Sequence, residues 1–218
     1  IPPQSENPQI QARLKKFYDK YLPASGEVML KGNVPEVSPG GKTVFQTIGP
    51  EWANVANTPF RKYKRWVHEG GIATPFIVQW PAGISVKSGS IIHEPGHVID
   101  IMTTILDAAE IDAQITSRPD NDIDGVSLVP VLKGQSKSRG HIFFEHEGNR
   151  AVRDGKWKLV SPFGGDWELY NMEKDRTETK NLASAFPERV VKMAANYENY
   201  ASHNKVVPWD QVLERSGM

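Results

Sequence analysis

The stretch from His141 to Tyr170 constrains the fold most tightly. Short apolar runs, Ile142-Phe143-Phe144, Ala151-Val152-Arg153 and Lys156-Trp157-Lys158-Leu159-Val160, are separated by turn residues, and Asp154-Gly155 stands between the last two. A tight hairpin loop needs positive φ, which glycine adopts without steric cost, so Asp-Gly between apolar runs predicts a β-hairpin. Gly164-Gly165 turns the chain again into Trp167-Glu168-Leu169-Tyr170. The stretch therefore reads as an antiparallel meander. A meander needs a cover for its apolar side, and Pro187 to Ser202 offers one. Pro187 suits the first turn of a helix, and Val190, Met193, Ala194, Tyr197 and Ala201 share one helical face.

Upstream, Val98 to Ala109 predicts a helix, with Val98, Ile101, Met102, Ile105, Leu106 and Ala109 on one apolar stripe. Phe76 to Trp80, bounded by Pro75 and Pro81, reads as a short buried strand. Gln11 to Tyr21 fits a short helix with Leu14, Phe17 and Tyr21 on one side, ended by Leu22-Pro23, and Pro35 to Lys42 is loop chemistry. The fold class is α/β: a mixed body, then a small antiparallel sheet packed with a C-terminal helix. Three regions follow: a lead-in or insertion over 1–50, the end of a large α/β domain over 51–138, and a sheet-plus-helix subdomain over 139–218.

Charge excludes some partners. The 26 basic and 26 acidic side chains cancel, which gives no reason to expect nucleic acid or an anionic membrane surface. No apolar run approaches the roughly 20 residues of a membrane-spanning helix. The chain has no cysteine, so disulfides, thiolate metal sites and a cysteine nucleophile are excluded. It opens Ile1-Pro2-Pro3-Gln4-Ser5, without the pattern of a signal peptide and without Met. That start is expected of a mature or truncated product whose address has been removed. The sequence itself fixes no compartment.

Three strings imitate known sites and fail on physical grounds. His93-Glu94-Pro95-Gly96-His97 matches H-E-x-x-H, whose two histidines face one zinc only on a continuous helix. Pro95-Gly96 opposes that helix by about 3 and 1 kcal/mol against Ala. Asp120, Asp122, Asp124 and Gly125 resemble the start of a calcium loop, but the twelfth position holds Val131 instead of a bidentate Glu. Pro39-Gly40-Gly41-Lys42-Thr43 resembles the end of a phosphate loop, yet Glu36 stands where its first glycine belongs. The cluster Arg61-Lys62-Tyr63-Lys64-Arg65 is either a solvated basic face or an anion site beside Gly70-Gly71.

A family pattern then emerges. Asn57-Thr58-Pro59-Phe60-Arg61-Lys62-Tyr63-Lys64, Glu69-Gly70-Gly71-Ile72-Ala73-Thr74-Pro75 and Trp80-Pro81 resemble the later signature of the type I sulfatases, the bacterial arylsulfatase group above all. Further pieces agree in order: His97 to Asp107, Asp124 to Leu128, Glu145 to Arg153, Gly155 to Leu159 and Glu168 to Asn171. The D-P-x-E-x-x-N-L string of the family is similar to Asp175 to Leu182, with Arg176 in place of Pro. The resemblance covers roughly residues 50–200.

It implies the C-terminal portion of an alkaline-phosphatase-like fold and a sulfuric ester hydrolase as the full-length protein. The C/S-x-P-x-R motif that yields the formylglycine nucleophile is not found; Ser184 to Arg189 is one residue too long. The carboxylates that bind the family's divalent cation, expected to be calcium, are not found either, so the metal ligands of this chain read as none and the chain alone is expected to be inactive. One catalytic residue carries over, Lys64, five residues before Glu69-Gly70-Gly71. His146 is the weaker candidate, for substrate binding. The implied partner is a sulfate-ester small molecule or a sulfated glycan, and the implied location is periplasmic or secreted. The competing expectations are a phosphodiesterase or phosphonate hydrolase of the same superfamily, and a non-catalytic fragment or remnant with a structural or binding role.

Overall fold

The computed structural model describes residues 30–31, 40–41, 44–45, 48–111, 123–136 and 139–215. The helix expected over 11–21 lies outside them, as do Asp120 and Asp122 of the calcium-like string and all but Gly40 and Gly41 of the 35–42 loop. Strands β1 (Leu30–Lys31) and β2 (Val44–Phe45) form a parallel pair. Two short helices follow, α1 (Gly49–Ala56) and α2 (Glu69–Ile72). Next come α3 (Asp100–Ala108) and α4 (Val129–Leu132). The expected meander is present as β3 (Ile142–His146), β4 (Asn149–Asp154), β5 (Trp157–Ser161) and β6 (Glu168–Asn171), in that order across one sheet. It is followed by α5 (Pro187–His203) and α6 (Trp209–Arg215).

Two compact units result. The first comprises residues 1–73, 143–152 and 156–218, and the second 74–142 and 153–155. In the first, the loop bearing Lys64 belongs with the C-terminal sheet.

The β4–β5 turn takes its positive φ at Gly155 (55°), with Asp154 still in the strand. Glycine at the first central position is the type II′ pattern, whose twist matches the flanking strands. β5 and β6 pair antiparallel, with Leu159 opposite Leu169 and Lys158 opposite Tyr170. Successive strand side chains point to opposite faces, and here both faces are buried. Val152, Leu159 and Leu169 pack under Met193 and Tyr197 of α5. Ala151, Val160 and Tyr170 pack on the other side with Val67 and Met172, joined by Ile72. Each fully buried Leu or Val contributes about 1.5–3 kcal/mol. The helix thus covers one face, and the segment around α2 covers the other.

Two expectations need correction. Phe76 to Trp80 forms no strand, and Ile77 is 90% exposed. An extended run buries itself only by pairing with another strand, and no described strand pairs with this one. Helix α3 forms, one turn shorter than expected, but of its apolar stripe only Leu106 is buried, while Val98, Ile101, Met102 and Ile105 are exposed. Asp100 is buried as well. Its carboxylate accepts the N–H groups of His97 (2.8 Å) and Val126 (3.0 Å) and pairs with Arg139. Burial alone would raise its pKa, but the bonds from Arg139, Val126 and His97 hold it below the usual carboxylate range.

The first unit encloses a charge cluster that sequence reading did not anticipate. Lys158, the second residue of β5, is 0% exposed. Its Nζ lies 3.0 Å from Oε1 of Glu69 and 2.8 Å from Oε1 of Glu178. The first contact is an aligned hydrogen bond; the second is ionic, with the carboxylate oxygen off the hydrogen-bonding direction. The other Glu178 oxygen accepts the backbone N–H of Glu69 at 2.9 Å, and Arg176 Nε reaches Glu69 at 3.3 Å. Two carboxylates therefore meet two cations. Burial pushes the Glu69 pKa up, but Lys158 and then Arg176 more than reverse that.

The D-x-x-E-x-x-N spacing has a physical reading in this setting. Asp175 accepts the N–H groups of Thr179 and Lys180 and the hydroxyl of Thr177, which folds the turn. That turn holds Glu178 at a φ of 56° and aims it at Lys158. Asn181 accepts the N–H groups of Leu169 and Ala183, fixing the turn to β6.

Beside this cluster, Glu168 is held by His68 Nε2 (3.2 Å) and the Tyr170 hydroxyl (2.5 Å), with Arg61 at 3.7 Å. The His68 hydrogen bond, against an opposing effect of burial and with help from Tyr170 and Arg61, lowers the Glu168 pKa to about 2. Burial and the Glu168 carboxylate push the Tyr170 hydroxyl well above its ordinary value.

Two outcomes are expected. Lys158→Met leaves Glu69 and Glu178 buried without their shared cation and should cost about 3–5 kcal/mol in urea unfolding. Adding Glu69→Gln and Glu178→Gln should recover much of that loss. For Glu168 the sign follows from a depressed folded-state pKa: its stabilisation is present above the unfolded value and fades as pH falls from about 5 towards 2. The acid loss of stability should be shallower in Glu168→Gln than in the parent over that window.

Candidate functional site

The site is built on the loop from Asn57 to Ala73. Gly70 and Gly71 lie directly beneath it. A Cβ at Gly70 would sit 2.3 Å from the carbonyl oxygens of Arg61 and Lys62, and one at Gly71 only 1.9 Å from that of Trp66. Only glycine permits this approach. Gly70 N–H donates to the Arg61 carbonyl at 3.0 Å, which closes the loop. Lys62 (69°) and Arg65 (108°) carry positive φ without being glycine. Such conformations cost about 1–3 kcal/mol each and persist where their surroundings hold them.

The four cations of the cluster divide their roles. Arg61 donates to the Tyr170 hydroxyl (3.0 Å) and to the Glu178 carbonyl. Lys62 sits over the Trp66 ring, 5.2 Å from its centroid. Arg65 pairs with Glu147 at 2.9 Å. Lys64 is exposed, and no described side chain pairs with its ammonium. The sequence cluster is thus neither one basic patch nor one anion site: three cations fasten the loop, and the fourth is left to solvent.

His146 is also exposed, at the end of β3. Asn149 links it to the Lys64 loop. Its amide Nδ2 donates to the His146 carbonyl (2.8 Å) and to the Arg65 carbonyl (3.2 Å), and its Oδ1 accepts the N–H of Phe163 (3.2 Å). Phe163 is 48% exposed, and its ring lies against the backbone of Gly148. Three loops therefore meet at one buried amide: the Lys64 loop, the β3–β4 turn and the β5–β6 connection. Sequence reading missed Asn149 and Phe163. The only local signal was a polar amide at the head of the strand run Asn149-Arg150-Ala151-Val152.

The second unit holds the H-E-x-x-H string. Helix α3 starts only at Asp100, so His93 and His97 are not carried on one helix. Burial, then the charge of Arg139, lowers the His97 pKa against the opposing pull of Asp100. Among the described residues, no group of three or more His, Asp or Glu side chains is placed to hold a metal ion. The divalent cation implied by the resemblance finds no fitting ligand set there, and no step below runs through it. No helix among them is long and apolar enough to cross a membrane.

Comparison with known proteins gives the family. Residues 60–199 match the family model of the N-sulphoglucosamine sulphohydrolase C-terminal region. An uncharacterized sulfatase of Schizosaccharomyces pombe is 31% identical over 200 residues, which cover 82% of this chain and 34% of that protein. The N-acetylgalactosamine-6-sulfatase of Mus musculus is 30% identical over 132 residues, 59% of this chain and 24% of that enzyme. The chain thus spans about a third or less of the length of these relatives. Among solved structures, one from a description of glycosaminoglycan metabolism by Bacteroides thetaiotaomicron aligns with a TM-score of 0.52 at 23% identity, covering 66% of this chain and 32% of that one. That likeness concerns the fold alone, and the small four-stranded antiparallel sheet with its helices fits it. The chain belongs to the sulfatase family and corresponds to that family's C-terminal α/β portion.

Proposed function

We propose that this chain forms part of a sulfuric ester hydrolase and supplies the cation that faces the sulfate and leaving-group oxygens, Lys64, with His146 beside it at the substrate mouth. One observation carries the reading. Within the Arg61–Arg65 cluster every other cation has an intramolecular partner, while Lys64 stands unpaired among the described residues on a loop fastened from below. A cation recruited for loop stability is paired; one kept free on a fastened loop is available to an external anion.

Breaking the S–O bond of a sulfate ester develops negative charge on the departing oxygen and redistributes it over the sulfuryl oxygens. A donor already aimed at that place stabilises the transition state more than the ground state and needs no reorganisation as the bond breaks. An ammonium suits the task as a compact point charge. Arg61, Lys62 and Arg65 keep the ammonium's base still, and the glycine pair keeps the loop closed. The nucleophile and the divalent cation, calcium in the family resemblance, are not supplied by these residues. For the substrate we favour a sulfated sugar. The support is the name of the matching family model and the sulfated-hexosamine enzyme among the relatives.

Steady-state kinetics of the full-length protein on a sulfate ester test this. Lys64→Ala should lower kcat about 10²–10³-fold, the typical loss of one charge-stabilising donor. Lys62→Ala should stay within a few-fold, and Lys64→Arg should rescue only in part, because a planar fork does not replace a point charge. Equal small losses for Lys64→Ala and Lys62→Ala would reduce the cluster to a solvated surface.

A further inference from the structure

We propose that Asn149 is the positioning residue of the substrate mouth: its side-chain amide sets Lys64 relative to His146 and Phe163 while never touching substrate. The inference rests on the reading of Lys64 given above.

Asn149 is 3% exposed and opens β4. All three of its hydrogen bonds go to main-chain groups, and each comes from a different loop. The Arg65 carbonyl lies 84 residues away in sequence, the Phe163 N–H 14 residues away and the His146 carbonyl 3 residues away. The Arg65 bond matters most, because Arg65 directly follows Lys64 and has a φ of 108°. An arginine holds such a backbone only under outside constraint. The structure supplies two constraints, the Asn149 bond to its carbonyl and the Glu147 ion pair to its side chain. Both come from the β3–β4 turn, next to His146. The Lys64 loop is therefore registered against the His146 turn, not merely against its own glycines.

No other side chain of this size satisfies the same three groups. Two carbonyls require two N–H donors, and one N–H requires an acceptor at the same carbon; a carboxamide offers both. An aspartate keeps the acceptor for Phe163 but turns a second oxygen, ionised at neutral pH, towards the Arg65 and His146 carbonyls. When protonated, it can donate to one of them.

These properties define a test in the full-length protein. Asn149→Ala should lower kcat on a sulfate ester about 10²-fold, the scale of a misplacement of roughly 1 Å. In the Lys64→Ala background the same change should cost less than about threefold, because a residue acting through Lys64 has nothing left to position. Asn149→Asp, nearly isosteric and so the safer variant for folding, should recover relative to the parent as pH falls through its carboxyl titration. Losses that multiply in the Lys64→Ala background, or an Asn149→Asp defect independent of pH, would overturn the proposal. Amide hydrogen exchange separates this from the functional reading. Whatever the activity, Asn149→Asp, which loses the donor to the Arg65 carbonyl but keeps the acceptor for Phe163, should speed exchange at Trp66 in the Lys64 loop while leaving Phe163 and the β5–β6 ladder protected. A parent without sulfatase activity but with this exchange pattern would sink the functional reading and keep the register role. Unchanged exchange at Trp66 would sink the register role itself.

Discussion

A single buried ammonium organises the first unit. Lys158 sits in β5, between Glu69 and Glu178, with no exposure to water. Removing a charge from water costs several kcal/mol, and only well-placed partners return it. The partners here come from two distant segments, one following the Lys64 loop and one following β6. Because an unpaired buried charge is so costly, the arrangement tolerates few alternatives. It fixes which segment covers the sheet, and at what height, more sharply than Val67 and Ile72 could through apolar contact alone.

The neighbouring residues read as adjustments to that centre. Arg176 stands where the family pattern has proline, yet it balances the second carboxylate through Glu69 and also rests over the Phe60 ring at 5.0 Å. The departure from the pattern thus adds a tie between the D-x-x-E turn and the start of the Lys64 loop. Arg150 shows a similar double use on the other face, lying over Trp167 at 4.4 Å and contacting Glu198 of α5 at 3.1 Å. The cationic residues of this unit act largely as internal fasteners, which is why a basic cluster read as a surface patch resolves into one open cation.

The elements legible in the sequence were those whose signals are local. The hairpin announced itself through Gly155, and α5 through Pro187 and the Met193–Tyr197 stripe, because turn chemistry and helical period act within a few residues. Phe76 to Trp80 failed because a strand is defined by its neighbour, which a local reading cannot supply. The stripe of α3 was legible only in part: Leu106 is buried, but Val98, Ile101, Met102 and Ile105 are exposed, and the burial of Asp100 rests on hydrogen bonds that no apolar period records. The candidate site was half legible. Lys64 and His146 were named through family resemblance, whereas the bond that links their loops spans 84 residues and leaves no periodic trace. The positive φ of Lys62 and Arg65 was equally silent, since neither residue advertises it as glycine does.

The spacing of these fasteners in the chain has a consequence for synthesis. The ties of the Lys64 loop all follow it in the chain: Asn149 trails Arg65 by 84 residues, Lys158 trails Glu69 by 89, and Glu178 trails Arg61 by 117. Until Glu178 has left the ribosome, the Glu69 backbone N–H lacks its acceptor and Arg61 lacks its carbonyl. Contacts of such separation form slowly, because the intervening chain must be ordered before they contribute. On a growing polypeptide, the loop that carries Lys64 thus waits until the residues up to Glu178 have emerged before its ties can close.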